Sequence, residues 1–184
     1  MRTTVPEKLL KIVVGIDADG QANLTRLTVL KKWFERPGRL TAFALWVAAR
    51  ATSRKGKAGG GAAGLFKEAR ALLDGQDKFR PALGRAAAES LHDRLREFQN
   101  EHQRQKWVSV RIVHNWNLLL VEEALAICIW YANSPVHGYT LASDYFRNYD
   151  PRYGTSLNGP SHKMILEMVQ FMLTVEAREA DEER

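Results

Sequence analysis

Apolar residues along this chain recur at steps of three and four, and no strand-length window alternates apolar with polar positions, so the pattern predicts an all-α protein. A first helix is expected from Pro6 to about Ile16, opened by a proline suited to a first turn and closed by Asp17-Ala-Asp-Gly20. A second runs from about Leu24 to Glu35, where Leu24, Leu27, Leu30 and Phe34 form one stripe with Trp33 beside it, and Pro37-Gly38 breaks it. A third spans Leu40 to Thr52, with Phe43, Trp46, Val47 and Arg50 on adjacent turns, and a fourth spans Ala63 to Leu73, stopped by Asp74-Gly75. Pro81 opens a fifth helix to about Lys106, whose narrow ladder of Leu83, Ala87, Leu91, Leu95 and Phe98 leaves Arg85, Arg94, Arg96 and Arg104 on the outer side.

The segment from Trp107 to Asn133 is apolar around most of its circumference and is expected to be the central, most buried helix, ended by Ser134-Pro135. A short helix at about Leu141 to Arg147, a loop rich in Gly, Pro and Asn, and a last helix from Ser161 to about Ala180 complete the chain. The charged residues from about 177 to 184 are expected to fray. With 184 residues and 45% apolar content, the expectation is one compact domain of seven or eight helices.

Charge is unevenly divided. Residues 1–23 balance, residues 24–111 carry 19 Lys/Arg against 8 Asp/Glu, and residues 112–184 carry 5 against 10. The basic block suggests a polyanionic partner, DNA or RNA, or an acidic protein surface; the acidic third is a potential cover for it in the same molecule. The N-terminal stretch has Glu7, Lys8 and Lys11 within its apolar run and does not resemble a secretory signal. Charged and amide residues interrupt the apolar segment at 107–132 well before the roughly 20 residues a spanning helix needs, so no membrane association is expected and a cytoplasmic setting is. The lone Cys128, inside an apolar run, reads as a core residue and suits a reducing compartment.

The stretch Ser53-Arg-Lys-Gly-Lys-Ala-Gly-Gly-Gly-Ala62 sets Arg54, Lys55 and Lys57 among glycines ahead of a helix. It lacks the lysine followed by Ser or Thr, and the preceding strand, of a nucleotide-binding loop, since Ala58 follows Lys57. It reads as a flexible basic loop able to meet phosphate oxygens through side chains and free helix N–H groups. In Tyr145-Phe-Arg-Asn-Tyr-Asp-Pro-Arg-Tyr153, rings alternate with Arg147 and Arg152, a composition suited to stacking on bases and meeting phosphates of single strands.

Metal and cofactor chemistry find little support. Counting a calcium loop from Asp17 puts Gln21, Ala22 and Thr28 at its later positions, and Glu89-x-x-His92 has no second copy to complete a di-iron site. No cofactor is expected. Arg111, His114, Asn115 and Glu122 fall within an arc expected to form a polar network beside the core.

Two features resemble the HEPN ribonucleases, compact helical enzymes whose catalytic arginine and histidine are separated by four to six residues. Arg85 and His92 have six residues between them, and Arg111-Ile-Val-His-Asn-Trp116 is similar to the segment around that family's histidine. The position five before His114 is Ser109, where the family pattern has arginine. The resemblance implies metal-free RNA cleavage, with His92 or His114 acting on the ribose 2′-hydroxyl and an arginine stabilising the charged phosphate.

Three functions follow in order of expectation. The first is a non-catalytic subunit holding a nucleic-acid backbone through residues 26–106, with Arg54, Lys55, Lys57, Arg94, Arg96 and Arg104 as contacts, joined by Arg147 and Arg152. The second is a helical assembly or adaptor protein that docks a protein or a second copy of itself, suggested by Trp33, Phe34, Phe43 and Trp46, which exceed what one small core needs. The third is the ribonuclease.

Overall fold

The computed structural model describes residues 28–53, 62–73, 83–106, 116–148 and 162–184, and within them the chain forms seven helices and no strand. These are α1 (Thr28–Phe34), α2 (Arg39–Ser53), α3 (Ala62–Leu73), α4 (Arg85–Lys106), α5 (Trp116–Ile129), α6 (Pro135–Asn148) and α7 (His162–Glu182). The expected helix at Pro6–Ile16, the loop at 54–61 and the first part of the helix expected at 107–133 lie outside the described residues.

Two helices share the centre. In α2 every residue from Leu40 to Ala48 except Thr41 is buried, and the alanines at 42, 44, 48 and 51 keep it thin enough to pack closely on α5. α5 contributes Leu118, Leu120, Val121, Ala124, Leu125 and Ile127, all nearly inaccessible, which fits its all-round apolar sequence. α4 and α6 flank α5, α3 lies on α2 and α4, and α1 packs on α6. The rings of Trp33, Phe34, Phe43 and Trp46 fill this core with Phe171 of α7 and Tyr145 of α6, at centroid separations of 5.1 to 6.5 Å. They are core residues, so the sequence argument that they form an apolar surface does not hold.

Local chemistry sets the corners. Gly38 adopts φ 82°, a left-handed backbone that suits glycine, and its carbonyl accepts from Ala42 N–H (3.0 Å) and Thr41 Oγ1 (2.9 Å) to start α2 immediately after α1. The end of α2 is held by the Arg70 guanidinium of α3, which donates to the Thr52 carbonyl.

Boundaries of four helices differ from expectation by two residues or more, with α4 beginning at Arg85 instead of Pro81 and α5 stopping at Ile129 instead of Asn133. α6 begins at Pro135 instead of Leu141, because a proline that ends one helix is equally suited to the first position of the next. Ser134 precedes it, its carbonyl accepting from His137 N–H (3.0 Å) and its Oγ lying 2.7 Å from His137 Nδ1. α7 continues to Glu182 through the segment expected to fray from about 177, because its carboxylates are bound by residues on α1 and at the α1–α2 corner.

Candidate functional site

The acidic end of α7 and the basic α1–α2 corner meet. Arg39, only 8% exposed, donates through Nε (2.8 Å) and Nη2 (2.6 Å) to Glu179, and lies over the Trp33 ring at 4.9 Å. Trp33 Nε1 donates to Glu176 (3.0 Å), while Arg36 reaches Glu179 (3.0 Å) and Glu183 (2.9 Å). The Arg39 hydrogen bond, with the nearby charge of Arg36, holds the Glu179 carboxyl below the usual carboxylate range. Three turns further along α2, Arg50 pairs with Glu167 of α7, donates to Tyr145 Oη (3.1 Å) and covers the Trp46 ring. Part of the basic block is therefore neutralised by the acidic third of the same chain.

On α4, Arg94 forms a two-pronged pair with Glu68 of α3, with Nη1 at 2.9 Å from Oε1. That hydrogen bond lowers the Glu68 pKa and raises that of Arg94, both groups being open to solvent. Arg85 pairs with Glu89 one turn on (2.7 Å). Arg96 is exposed, with its charge near Glu122 of α5. An open groove of about 500 Å³ follows this face, lined by Asp93, Arg96, Glu97, Asn100 and Glu101. Arg104 and Arg147 lie on α4 and α6 with side chains outside the described set, and Arg54, Lys55, Lys57 and Arg152 lie outside the described residues altogether.

His92 faces inward from α4. Its Nδ1 is 3.2 Å from Asp93 Oδ1, its Nε2 3.8 Å from Glu122 Oε1, and its ring meets Trp130 edge-on at 4.8 Å. Burial raises the Glu122 pKa, offset by the charges of His92 and Arg96 and by the Gln99 side chain. This histidine serves as a packed polar link between α4 and α5, with Arg85 held separately by Glu89; His114 lies outside the described residues.

Between α5 and α6, Glu123 and Asp144 join carboxyl to carboxyl, which requires a shared proton. Burial first, then the charge and hydrogen bond of Asp144, push Glu123 up to about 8. Burial alone pushes the Cys128 thiol up to about 12, so it is not a thiolate nucleophile at neutral pH. Among the described residues no group of three or more His, Cys, Asp or Glu is placed to hold a metal ion, and no helix is long and apolar enough to cross a membrane.

The remaining distinctive surface is the corner between α5 and α6. Trp130 (44% exposed), Tyr131 (41%) and Val136 (59%) are the only exposed large apolar side chains among the described residues, and all three fall within seven positions. Their rings are immobilised from behind. Tyr131 stacks on His137 at 3.8 Å and 6°, His137 is held by Ser134, and Trp130 rests on His92. The chain turns at once, with Ser134 N–H bonded to the Tyr131 carbonyl (3.0 Å), so the side chains that would continue a buried helix face outward instead. Sequence reasoning did not single out these residues. The available signal was that residues 124–143 contain no Asp, Glu, Lys or Arg in a chain that is 26% charged. Comparison with protein-family models, curated proteins and solved structures gives no match to this chain.

Proposed function

We propose that this protein is a helical docking subunit of the assembly or adaptor type, which binds an uncharged apolar protein surface through the α5–α6 corner. The observation that carries this reading is the clustering of Trp130, Tyr131 and Val136 on a charge-free turn with pre-positioned rings. Aromatic side chains that are already ordered lose little freedom on binding and fill partner pockets well, which makes such a cluster suited to anchoring. The test is proximity crosslinking with a photoreactive group placed at Thr140, an exposed position one turn beyond Val136, in otherwise unaltered protein and in Val136→Glu. Defined adducts that vanish in Val136→Glu are expected; adducts identical in both proteins would rule the corner out.

A second reading, that the chain holds a nucleic-acid backbone, is favoured by the exposed cations Lys67, Arg94 and Arg96 on α3 and α4, the helices that follow the basic loop at 54–61. Arg94 is paired, yet both partners are solvent-exposed, and exposed pairs exchange readily for a phosphate. The ribonuclease reading draws no comparable support from the described residues, where both His92 ring nitrogens face carboxylates of the chain itself.

A further inference from the structure

The face of α1, α2 and α6 that lies under α7 is built to read carboxylates. Arg39, Phe43, Trp46 and Arg50 fall at helical spacing along one side of α2, two cations bracketing two stacked rings. Both guanidinium groups are set by residues other than those of α7. Arg39 lies over the Trp33 ring at 4.9 Å, Arg50 lies over the Trp46 ring at 4.7 Å, and Arg50 Nε donates to Tyr145 Oη (3.1 Å). A cation laid flat on a ring keeps its N–H edge free for a carboxylate and loses little freedom when one arrives.

α7 supplies the matching pattern. Glu167, Phe171, Val175 and Glu179 recur at every fourth position, so two carboxylates about 18 Å apart bracket two apolar side chains. Glu179 pairs with Arg39 and Glu167 with Arg50, which sets α7 antiparallel to α2, and the Phe171 ring stacks on Trp46 at 5.1 Å and 22°. Met168 and Met172, both fully buried, fill the space beside it with the adaptable side chains typical of surfaces that accept more than one partner. Backbone spacing separates α7 from the rest of the core. α2 and α5 lie close alongside each other, whereas α7 reaches its neighbours chiefly through long side chains and through ion pairs, of which Arg36–Glu183 is exposed and Arg50–Glu167 half-buried.

We propose that this face is a groove for an acidic amphipathic helix of a partner protein, and that α7 is the occupant carried within the chain, which such a helix displaces. The partner presents the α7 pattern: two carboxylates twelve residues apart with apolar side chains at the four-residue steps between them. The groove uses none of Trp130, Tyr131 or Val136, so it stands or falls apart from the docking reading.

A fluorescent peptide of residues 162–182, titrated into the full chain, stands in for the partner helix. In the wild-type chain the resident α7 competes at an effective concentration on the order of mM, and weak binding is expected. In the chain carrying Glu167→Lys and Glu179→Lys the resident has lost both anchors, and the same peptide should bind at least about tenfold more tightly. A peptide with those two replacements should bind neither chain. Binding to neither chain by the unaltered peptide, equal binding to both, or equal binding by the charge-reversed peptide overturns the proposal. Should the double variant fail to fold, hydrogen exchange of the wild-type chain decides: α7 amides are expected to exchange through an opening at least about tenfold more populated than that of α2 and α5, and more so as salt rises. Exchange of α7 only together with α2 and α5 overturns it.

Discussion

At the scale of single residues, two glycines and one arginine carry more of this fold than their size suggests. Gly38 supplies the left-handed corner, and Gly138 supplies room. A Cβ at Gly138 would come within 2.5 Å of Leu40 Cδ1 and 2.7 Å of Phe34 Cδ2, both from buried side chains that have nowhere to move. Replacing a mid-helix glycine by alanine ordinarily gains about 1 kcal/mol of helix stability, whereas overpacking a tight core costs about 1 to 3 kcal/mol. The second effect should win here. Gly138→Ala is expected to lower the urea unfolding midpoint, and an unchanged or raised midpoint would mean that α6 can shift away from α1 and α2 at little cost. Arg39 shows the opposite arrangement, a charge taken almost wholly out of water and paired with a carboxylate on a helix 140 residues away.

At the scale of elements, the α5–α6 contact has a pH dependence with a definite sign. Glu123 binds its proton more tightly in the folded chain than in the unfolded one, so its contribution is fully present below the ordinary pKa of 4.5 and is lost as pH rises towards about 8. Glu179 works the other way: its pKa is lowered, so its contribution is present above 4.5 and lost as pH falls. The groups around Glu123 are Asp144 from α6 and Glu122 from its own helix, and on the neighbouring face of α6 Tyr145 binds Arg50 of α2. Thermal unfolding should show wild-type stability declining as pH rises from 5 to 9, by up to about 4 kcal/mol. Glu123→Gln, which keeps a donor for Asp144, should flatten that slope; an unaltered slope would place the titration elsewhere. The helices themselves were mostly legible in the sequence: α2, α3 and α4 begin and end within four residues of the periodicity reading. The start of α6 was not, because Pro135 is equally good punctuation for an end and a beginning. Nor was the end of α7, since an acidic run looks solvated until its cationic partners are brought in from the far end of the chain. The candidate corner escaped for a related reason. A helix apolar on every side gives periodicity nothing to report about which residues emerge at its end.

At the scale of the whole molecule, the division of charge along the sequence becomes a partial match within the fold. Glu167, Glu176 and Glu179 of α7, with Glu183 just past its end, take up Arg36, Arg39 and Arg50, while Lys67, Arg85, Arg94 and Arg96 of α3 and α4 stay towards solvent. If the nucleic-acid reading is right, anisotropy with a labelled oligonucleotide should show affinity falling steeply between 50 and about 200 mM salt. Replacing Arg94 and Arg96 by Ala should reduce that slope. Affinity indifferent to salt would exclude the reading. The clamp between α7 and the α1–α2 corner also imposes an order on the making of the protein. Trp33 and Arg39 complete their bonds with residues 143 and 140 positions later, so a growing chain carries them without counterparts until residues 176 to 179 have been synthesised. Chain entropy must be overcome across almost the entire sequence before that contact returns any stability. The α1–α2 corner is therefore among the last parts of the fold to be secured, and a chain cut short before α7 would hold a cation and an indole prepared for partners that never arrive.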